Sequence, residues 1–389
     1  MLVRRRVSGN CGVGASHRQG APLLLFDACR GRPRVITPDI AGHCLRKHWG
    51  LEGTLTRLDG EQDANFRVNC SDGRTFVLKI MHEGCDPLDL DFRVCALHCL
   101  ESSDARWPAV VPANSGDTVV TEEAGGTRRL AWLLTWCTGR LLATVAPHTE
   151  ALAESFGALL ADTTNRLEGF QHPHMRQGHR WELTRALDNA PWIGDIEGEC
   201  RQLARKALQD FGKLLAPKLE HLPWSVVHND ANDYNVLVNG DRVTGLIDFG
   251  DLAWQPVICD VAIALAYYLL DKEQPLEACA AFLRGYHAVR KLSEAELALL
   301  FGLIKTRLAV SLAISSHRQA ENPDDPYIVV SQAPARRALL ALADIPEEVA
   351  EATFRQACGL TPHQAHSISA RRMPQSGQES PAGSRRAGH

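Results

Sequence analysis

His228, Asp230, Asn235 and Asp248 carry the most specific chemistry in this chain. They fall in the run Val-Val-His228-Asn229-Asp230-Ala-Asn-Asp-Tyr-Asn235-Val-Leu-Val and, after a short polar connector, in Val-Thr-Gly-Leu-Ile-Asp248-Phe-Gly-Asp251. Two apolar, strand-like runs deliver polar groups to one end of a hairpin. Asp230 is a carboxylate that can orient a hydroxyl and take its proton. Asn235 and Asp248 offer an amide and a carboxylate oxygen, ligands that a hard cation such as Mg²⁺ prefers. His228 joins Asp230 in the catalytic group and would fix the loop's conformation. A proton acceptor beside a magnesium site is the equipment of phosphoryl transfer, whose catalysis is mostly positioning and charge neutralisation. A His-x-Asp triplet or a strand-ending Asp-x-Gly turn is ordinary alone. Their joint occurrence at this spacing points to function.

Other residues extend the site. Lys79 ends an apolar strand-like run and could reach nucleotide phosphates if a helix carboxylate held it; Asp91, on the next helical stretch, is the best-placed partner. Asp260 opens an apolar helix, where it either complements the helix dipole or supports the catalytic loop from below. The stretch 58–66, where a phosphate-cradling turn belongs, has one glycine and neither Gly-x-Gly-x-x-Gly nor a P-loop pattern.

These groups need elements to hold them. Strands are expected at 54–58, 65–69 and 75–80, separated by turns at Asp59-Gly60 and Asp72-Gly73. A helix follows at 88–100, then strands at 109–112, 117–122 and 129–136. Beyond His148 the pattern turns helical, with helices expected at 149–166, 179–188, 196–217, 256–270, 274–289, 293–320, 330–343 and 346–357. The expected fold is α+β with two lobes: a small antiparallel β lobe with one helix over 37–136, and a large, mainly helical catalytic and substrate lobe over 137–366. A cleft between them is the natural ligand site. Residues 1–36 read as a poorly ordered extension or a transit segment, and 367–389 as a disordered tail.

Composition narrows the partners. The chain has 389 residues and a formal charge of −4, from 42 basic and 46 acidic residues, so no basic field favours nucleic acid. Its apolar content of 45% fits a soluble globular protein. No apolar run reaches the roughly 18 residues of a membrane span, the best being Val261 to Leu270. Twelve scattered cysteines with no Cys-x-x-Cys pair suggest a reducing compartment, hence a cytoplasmic location. Cys95 and Cys99, four apart in an apolar pattern, read as core packing rather than as a metal site.

Over about 40–345, the sequence resembles the aminoglycoside phosphotransferase and choline kinase-like superfamily. The resemblance rests on His228-Asn-Asp-Ala-Asn-Asp-Tyr-Asn235, Gly245-Leu-Ile-Asp-Phe-Gly-Asp251 and Asp260, and within the superfamily it is nearest to the hydroxylysine kinases. It implies a protein-kinase-like fold and transfer of the γ-phosphate of GTP or ATP, with Mg²⁺, to a small hydroxylated amine or amino acid. By carry-over Asp230 is the base, Asn235 and Asp248 hold Mg²⁺, Lys79 binds phosphate, and the nucleotide base sits near Trp136 and Thr138. The superfamily's usual partner for that lysine is Glu, so Asp91 departs from the pattern by one methylene. The acceptor implied first is 5-hydroxy-L-lysine, with homoserine, choline, ethanolamine or an aminoglycoside as alternatives. Arg180, Trp181 and Arg307 are candidates for holding an acceptor carboxylate or stacking on it, and Asp233, Asp251 and Glu182 for holding an ammonium group. A non-catalytic nucleotide-binding module and a metal-dependent hydrolase are the readings of other classes. The oligomeric state is left open.

Overall fold

The computed structural model describes residues 36–60, 63–101, 105–124, 126–322 and 332–360. Residues 1–35 of the expected extension and all of the expected tail lie outside the described residues.

The chain enters on α1 (Pro38–Trp49), capped by the Thr37 hydroxyl, which accepts from the Ile40 N–H, and ended by Gly50 at φ 62°. An antiparallel meander follows: β1 (Gly53–Leu58), β2 (Ala64–Cys70) and β3 (Thr75–Ile80). Residue pairs such as Phe66↔Leu78 and Val68↔Phe76 hold the register, and their side chains are buried. After α2 (Pro87–Leu100) come β4 (Val110–Val111), β5 (Val120–Ala124) and β6 (Thr127–Thr135). The sheet order is β1-β2-β3-β6-β4, with β5 also pairing with β6. One face packs with α1 in a core that includes Leu45, Trp49, Phe66 and Leu78. Helix α2 belongs instead to the large-lobe core, where Leu90, Phe92 and Leu97 join Phe156 and Phe249.

The large lobe begins at β7 (Arg140–Leu141) and α3 (Glu150–Leu167). It continues through α4 (Cys200–Asp210), α5 (Ala216–Leu219), β8 (Trp224–Val227), β9 (Val236–Asn239), β10 (Arg242–Leu246) and β11 (Ala253–Pro256). The helices α6 (Val257–Tyr268), α7 (Pro275–Val289), α8 (Glu294–Glu321), α9 (Gln332–Ala343) and α10 (Glu347–Ala357) complete it. This is the kinase-like α+β arrangement expected.

Three stretches differ from the sequence reading, each for a local reason. The helix expected at 179–188 is a 3₁₀ segment, Leu183–Asp195, kinked at Arg185. There the Asn189 amide donates to the Arg180 and Ala186 carbonyls, and Pro191 supplies no N–H. The helix expected at 196–217 starts at Cys200 and widens into a π-turn over Phe211–Leu215, just before Pro217, whose ring cannot continue a regular ladder. The longest apolar helix is α8, not the 261–270 stretch. By length and composition α8 could cross a membrane, but 83% of its most apolar window is buried in the protein, as in a core helix.

Helices α3 and α7 pack at unusually close range. Gly157 faces the Phe282 carbonyl and Gly285 faces the Glu154 carbonyl, and a Cβ at either position would overlap backbone atoms. The contact is therefore specific for glycine, because neither carbonyl can rotate away without breaking its helix. Gly285→Ala should cost at least about 1–3 kcal/mol through forced separation of the helices. A denaturant midpoint equal to that of the parent would refute this reading of the contact.

Candidate active site

The catalytic run leaves β8 at Val227 and immediately takes a conformation that costs energy. Asn229 sits at φ 65°, in the left-handed region that Asn tolerates better than most residues. Three partners hold it there. Its N–H donates to Asp260 Oδ1 at 2.7 Å, its side-chain oxygen accepts from Gln255 Nε2 at 2.6 Å, and its amide lies 3.2 Å from His179 Nε2. Asn229, Gln255 and Asp260 are buried. Strand β11 pairs with β8, so Gln255 and the start of α6 arrive directly behind the loop.

His228 is fully buried, and both ring nitrogens are engaged. Nε2 donates to the Ile247 carbonyl at 3.0 Å and Nδ1 accepts the Asp230 N–H at 3.2 Å. Burial holds its pKa down to about 4, so the ring is neutral. With no free nitrogen it carries no proton to a substrate. The catalytic assignment is corrected to a positioning one: His228 ties the Asp230 loop to the strand end before Asp248, and its edge packs on Phe249 with ring centroids 4.6 Å apart.

Asp230 faces the cleft. Asn232 Nδ2 donates to its Oδ1 at 3.0 Å, and Asn235 Nδ2 to its Oδ2 at 2.8 Å. Asn235 also donates to the Asp230 carbonyl at 2.9 Å. The carboxylate is thus aimed by two amides, and the Asn235 side-chain oxygen is turned away from it. Burial first, and then the charge of Asp251, raise the Asp230 pKa well above the ordinary carboxylate range.

Asp248 follows β10, which pairs with β9 across a two-residue loop. Gly240 there, at φ 57°, supplies the left-handed first position that a II′ hairpin turn needs. The Ile247 N–H donates to the Asn235 carbonyl at 2.9 Å, which brings Asn235 and Asp248 to the same end of the hairpin. Asp248 is itself left-handed, at φ 62°. Its Oδ1 meets Lys79 Nζ at 3.2 Å, a contact that joins the two lobes, and the lysine's charge holds the Asp248 carboxyl below its ordinary range. An amide oxygen and an ionised carboxylate at one strand end are the donor set that a hard divalent cation takes.

The pairing of Lys79 with Asp91 is corrected. Asp91 is exposed and lies 3.1 Å from His172 Nε2, and it is absent from the cleft wall. It occupies a position on α2 that points to the loop after α3, so Lys79 meets Asp248 instead. Asp91, Cys95 and His172 are close enough to share a cation. However, His172 Nδ1 accepts the His174 N–H at 3.1 Å, which keeps the ring proton on Nε2, the nitrogen a metal would need.

The cleft measures about 2110 Å³ and is walled by both lobes. Leu58, Asp63, Lys79 and Trp132 contribute from the small lobe, and Asp230, Asn235, Asp248 and Arg307 from the large one. Trp136 lines it beneath Arg67, whose guanidinium carbon is 4.4 Å from the ring. Thr138 does not line it: the side chain is exposed, and its carbonyl accepts from Thr244 Oγ1 at 2.8 Å. Of the stretch 58–66, residues 61–62 lie outside the described residues.

Among the acceptor-side candidates, Trp181, Asp233, Asp251 and Arg307 all face the cleft. Burial raises the Asp233 carboxyl, and its charge is felt by Lys272. Burial likewise raises Asp251. Glu182 and Arg180 also line the cleft, but each is already engaged: Glu182 accepts the His179 N–H, and Arg180 donates to the Asp188 carbonyl. Sequence reasoning missed Asn232, His179, Asn229 and Gln255. Only Asn229 and Asn232 carried a signal, as polar residues within the catalytic run.

A loop-borne carboxylate beside an amide–carboxylate pair and a lysine, in a cleft between a β lobe and a helical lobe, is the arrangement of a kinase-like phosphotransferase. Residues 54–299 match the APH phosphotransferase enzyme family, and the chain belongs to that family. It is 25% identical over 346 residues to hydroxylysine kinase of Mus musculus, covering 82% of this chain and 92% of that one. It is 29% identical to homoserine kinase of Brucella anthropi, over 63% and 74% of the two chains. The solved structure of a microcompartment-associated aminopropanol kinase has the same fold, with a TM-score of 0.61 at 20% identity, covering 82% of this chain and 98% of that one. The chain is accordingly a phosphotransferase with a hydroxyl group as acceptor.

Asp260 is the keystone of the loop and is open to test. Burial pushes its carboxyl up to about 7, against about 4 in an unfolded chain. The folded state therefore keeps a proton that the unfolded chain sheds, and this stabilising contribution is lost as pH rises from about 4 to about 7. Asp260→Asn keeps an acceptor for the Asn229 N–H but cannot ionise, so its Tm should gain on the parent across that window. Asp260→Ala, which orphans the N–H, should lose about 1–3 kcal/mol. A pH-independent difference between the parent and Asp260→Asn would contradict the assignment.

Proposed function

We propose that the protein transfers the γ-phosphate of a magnesium-bound nucleoside triphosphate to the hydroxyl of a small amino compound, with 5-hydroxy-L-lysine as the leading acceptor. The observation that carries the reading is Asp230, aimed into the cleft by two amides and backed by Asn235 and Asp248 at one hairpin end. The hydroxylysine kinase relatives, matched over most of their length, support the acceptor. Homoserine is the second reading, supported by the homoserine kinase relatives.

Each residue has a distinct task. Asp230 accepts a hydrogen bond from the acceptor hydroxyl, orients its lone pair toward the γ-phosphorus and takes the proton as the new O–P bond forms and the bond from that phosphorus to the departing nucleoside diphosphate breaks. Asn232 and Asn235 keep that carboxylate from rotating. Lys79, 3.2 Å from Asp248, is placed to neutralise phosphate oxygens. Asn235 and Asp248 would hold Mg²⁺, which would supply positive charge to offset that of the phosphate groups. The nucleotide base would rest near Trp136, with GTP or ATP as donor. Among the described residues ten cysteines are free thiols, which fits a reducing, cytoplasmic setting.

A phosphate-transfer panel of ATP and GTP against hydroxylated amino acids and amino alcohols tests the reading. Asp230→Asn should lower transfer about 10²–10⁴-fold while nucleotide still binds. Asp248→Ala should abolish metal-dependent transfer. Parent-like rates in either variant would remove the corresponding assignment. The acid side of the pH profile provides a finer check. Asp230 acts only when ionised and its carboxyl is raised, so kcat/KM should fall with acidification above the ordinary Asp value of about 4. Removing the neighbouring charge with Asp251→Asn should move that limb to lower pH. An unmoved limb would mean that Asp251 does not tune the base.

A further inference from the structure

Among the described residues Arg307 is the one fully buried guanidinium in the cleft wall, and its hydrogen bonding is incomplete. It projects from the middle of α8 and is 1% exposed. Nη1 donates to the Trp181 carbonyl at 2.6 Å. Nε has no partner among the described residues. Nη2 approaches Asp230 Oδ1 at 3.8 Å, beyond hydrogen-bond length. The parallel N–H groups of Nε and Nη2 form one edge of the guanidinium, the edge that grips a carboxylate with two bonds. That edge is left over. A buried donor without a partner costs free energy, and an ion without one costs more.

Asp230 is an ion-pair partner of Nη2 at 3.8 Å but not a hydrogen-bond partner. Both of its oxygens already accept from Asn232 and Asn235. The rings of Trp181 and Tyr267, 5.0 and 5.4 Å from the guanidinium carbon, hold the plane of Arg307 in position. Arg307 lines the cleft beside Asp230, and its Nε, shielded from solvent, becomes reachable by an acceptor only as the wall adjusts around it. Asp251, an acidic group in the same wall, offers the opposite charge nearby.

We infer that Arg307 binds the carboxylate of the acceptor, so that the enzyme selects an amino acid over the corresponding amine. This inference rests on the phosphotransfer reading above, and it gives the acceptor a chemical class: a zwitterion whose carboxylate completes the Nε–Nη2 edge and whose hydroxyl reaches Asp230. Arg307 is then a specificity-determining residue rather than a prop for the base.

The test uses acceptor pairs that differ only in the carboxylate: 5-hydroxy-L-lysine against its decarboxylated diamine, and homoserine against its decarboxylated amine. Initial rates of transfer from ATP and GTP give kcat/KM for each member. The parent enzyme should favour the amino acid of one pair by about 10-fold or more. Arg307→Met, which keeps the apolar stem, should lower kcat/KM for that amino acid by about 10–100-fold, the effect of losing a charged bidentate contact. The amine should change only a few-fold, so the preference collapses. Arg307→Lys keeps the charge without the fork and should keep only a small part of the preference. It also serves as the working variant if Arg307→Met does not fold. An equal loss for both members of the pair would overturn the inference, because Arg307 would then act through Asp230 or on the phosphate. Equal use of both members by the parent enzyme would also overturn it. Transfer to no member of either pair, with nucleotide bound, would overturn the acceptor reading together with it.

Discussion

A left-handed residue buried behind the catalytic loop is the constraint on which this site depends. Asn229, at φ 65°, turns the chain sharply as it leaves β8, and that turn aims Asp230 into the cleft. The conformation persists because buried partners oppose its relaxation: Asp260 takes the N–H, and Gln255 donates to the side-chain oxygen. Strain at a functional position held by surrounding hydrogen bonds is a recurrent device. Here it explains why β11 and α6 exist where they do. Strand β11 runs back along β8 and carries Gln255, and α6 begins at once and carries Asp260 in its first turn. The apolar bulk of α6 is what keeps that carboxylate in place, since Val261, Ala262, Ile263 and Leu265 are all buried.

The second constraint is electrostatic. Asp230, Asp248, Asp251 and Asp260 crowd one end of the large lobe, with Lys79 and Arg307 as the cations that most directly face them. Burial raises the pKa values of Asp230, Asp251 and Asp260, and like charges at close range add to the effect at Asp230 and Asp251. The result divides the labour. Asp248, beside Lys79, stays ionised and suits a cation. Asp260, deep in the core, tends toward neutrality and serves as a hydrogen-bond acceptor. Asp230 lies between them, raised yet within reach of the cleft, which is the condition of a base that must hold and release a proton.

Much of this was legible in the sequence because it is local. The Asp59-Gly60 and Asp72-Gly73 turns marked the meander, and strand alternation gave β1 to β3 to within a residue or two. Asn235 and Asp248 fell at one hairpin end because the two runs between them have matching lengths. The illegible parts are those settled by distant contacts. Lys79 and Asp248 are 169 residues apart, so no pattern near Lys79 could name its partner, and Asp91 was the best-placed carboxylate on the next helix. The Gln255–Asn229 bond spans 26 residues and belongs to a strand pair, β8 with β11, that has no short turn to announce it. The 3₁₀ segment after Glu182 escaped because its helix-like apolar spacing was overruled by an asparagine side chain and a proline.

The central claim is that the acceptor hydroxyl, oriented by Asp230, attacks the phosphorus directly. The stereochemical course at phosphorus is its most direct test, measured with a nucleoside triphosphate whose γ-position is a chiral, isotopically labelled thiophosphate and with the preferred acceptor. One in-line displacement predicts inversion of configuration in the phosphorylated product. Retention would require two displacements through a phosphorylated side chain, and would contradict a mechanism in which Asp230 takes only a proton.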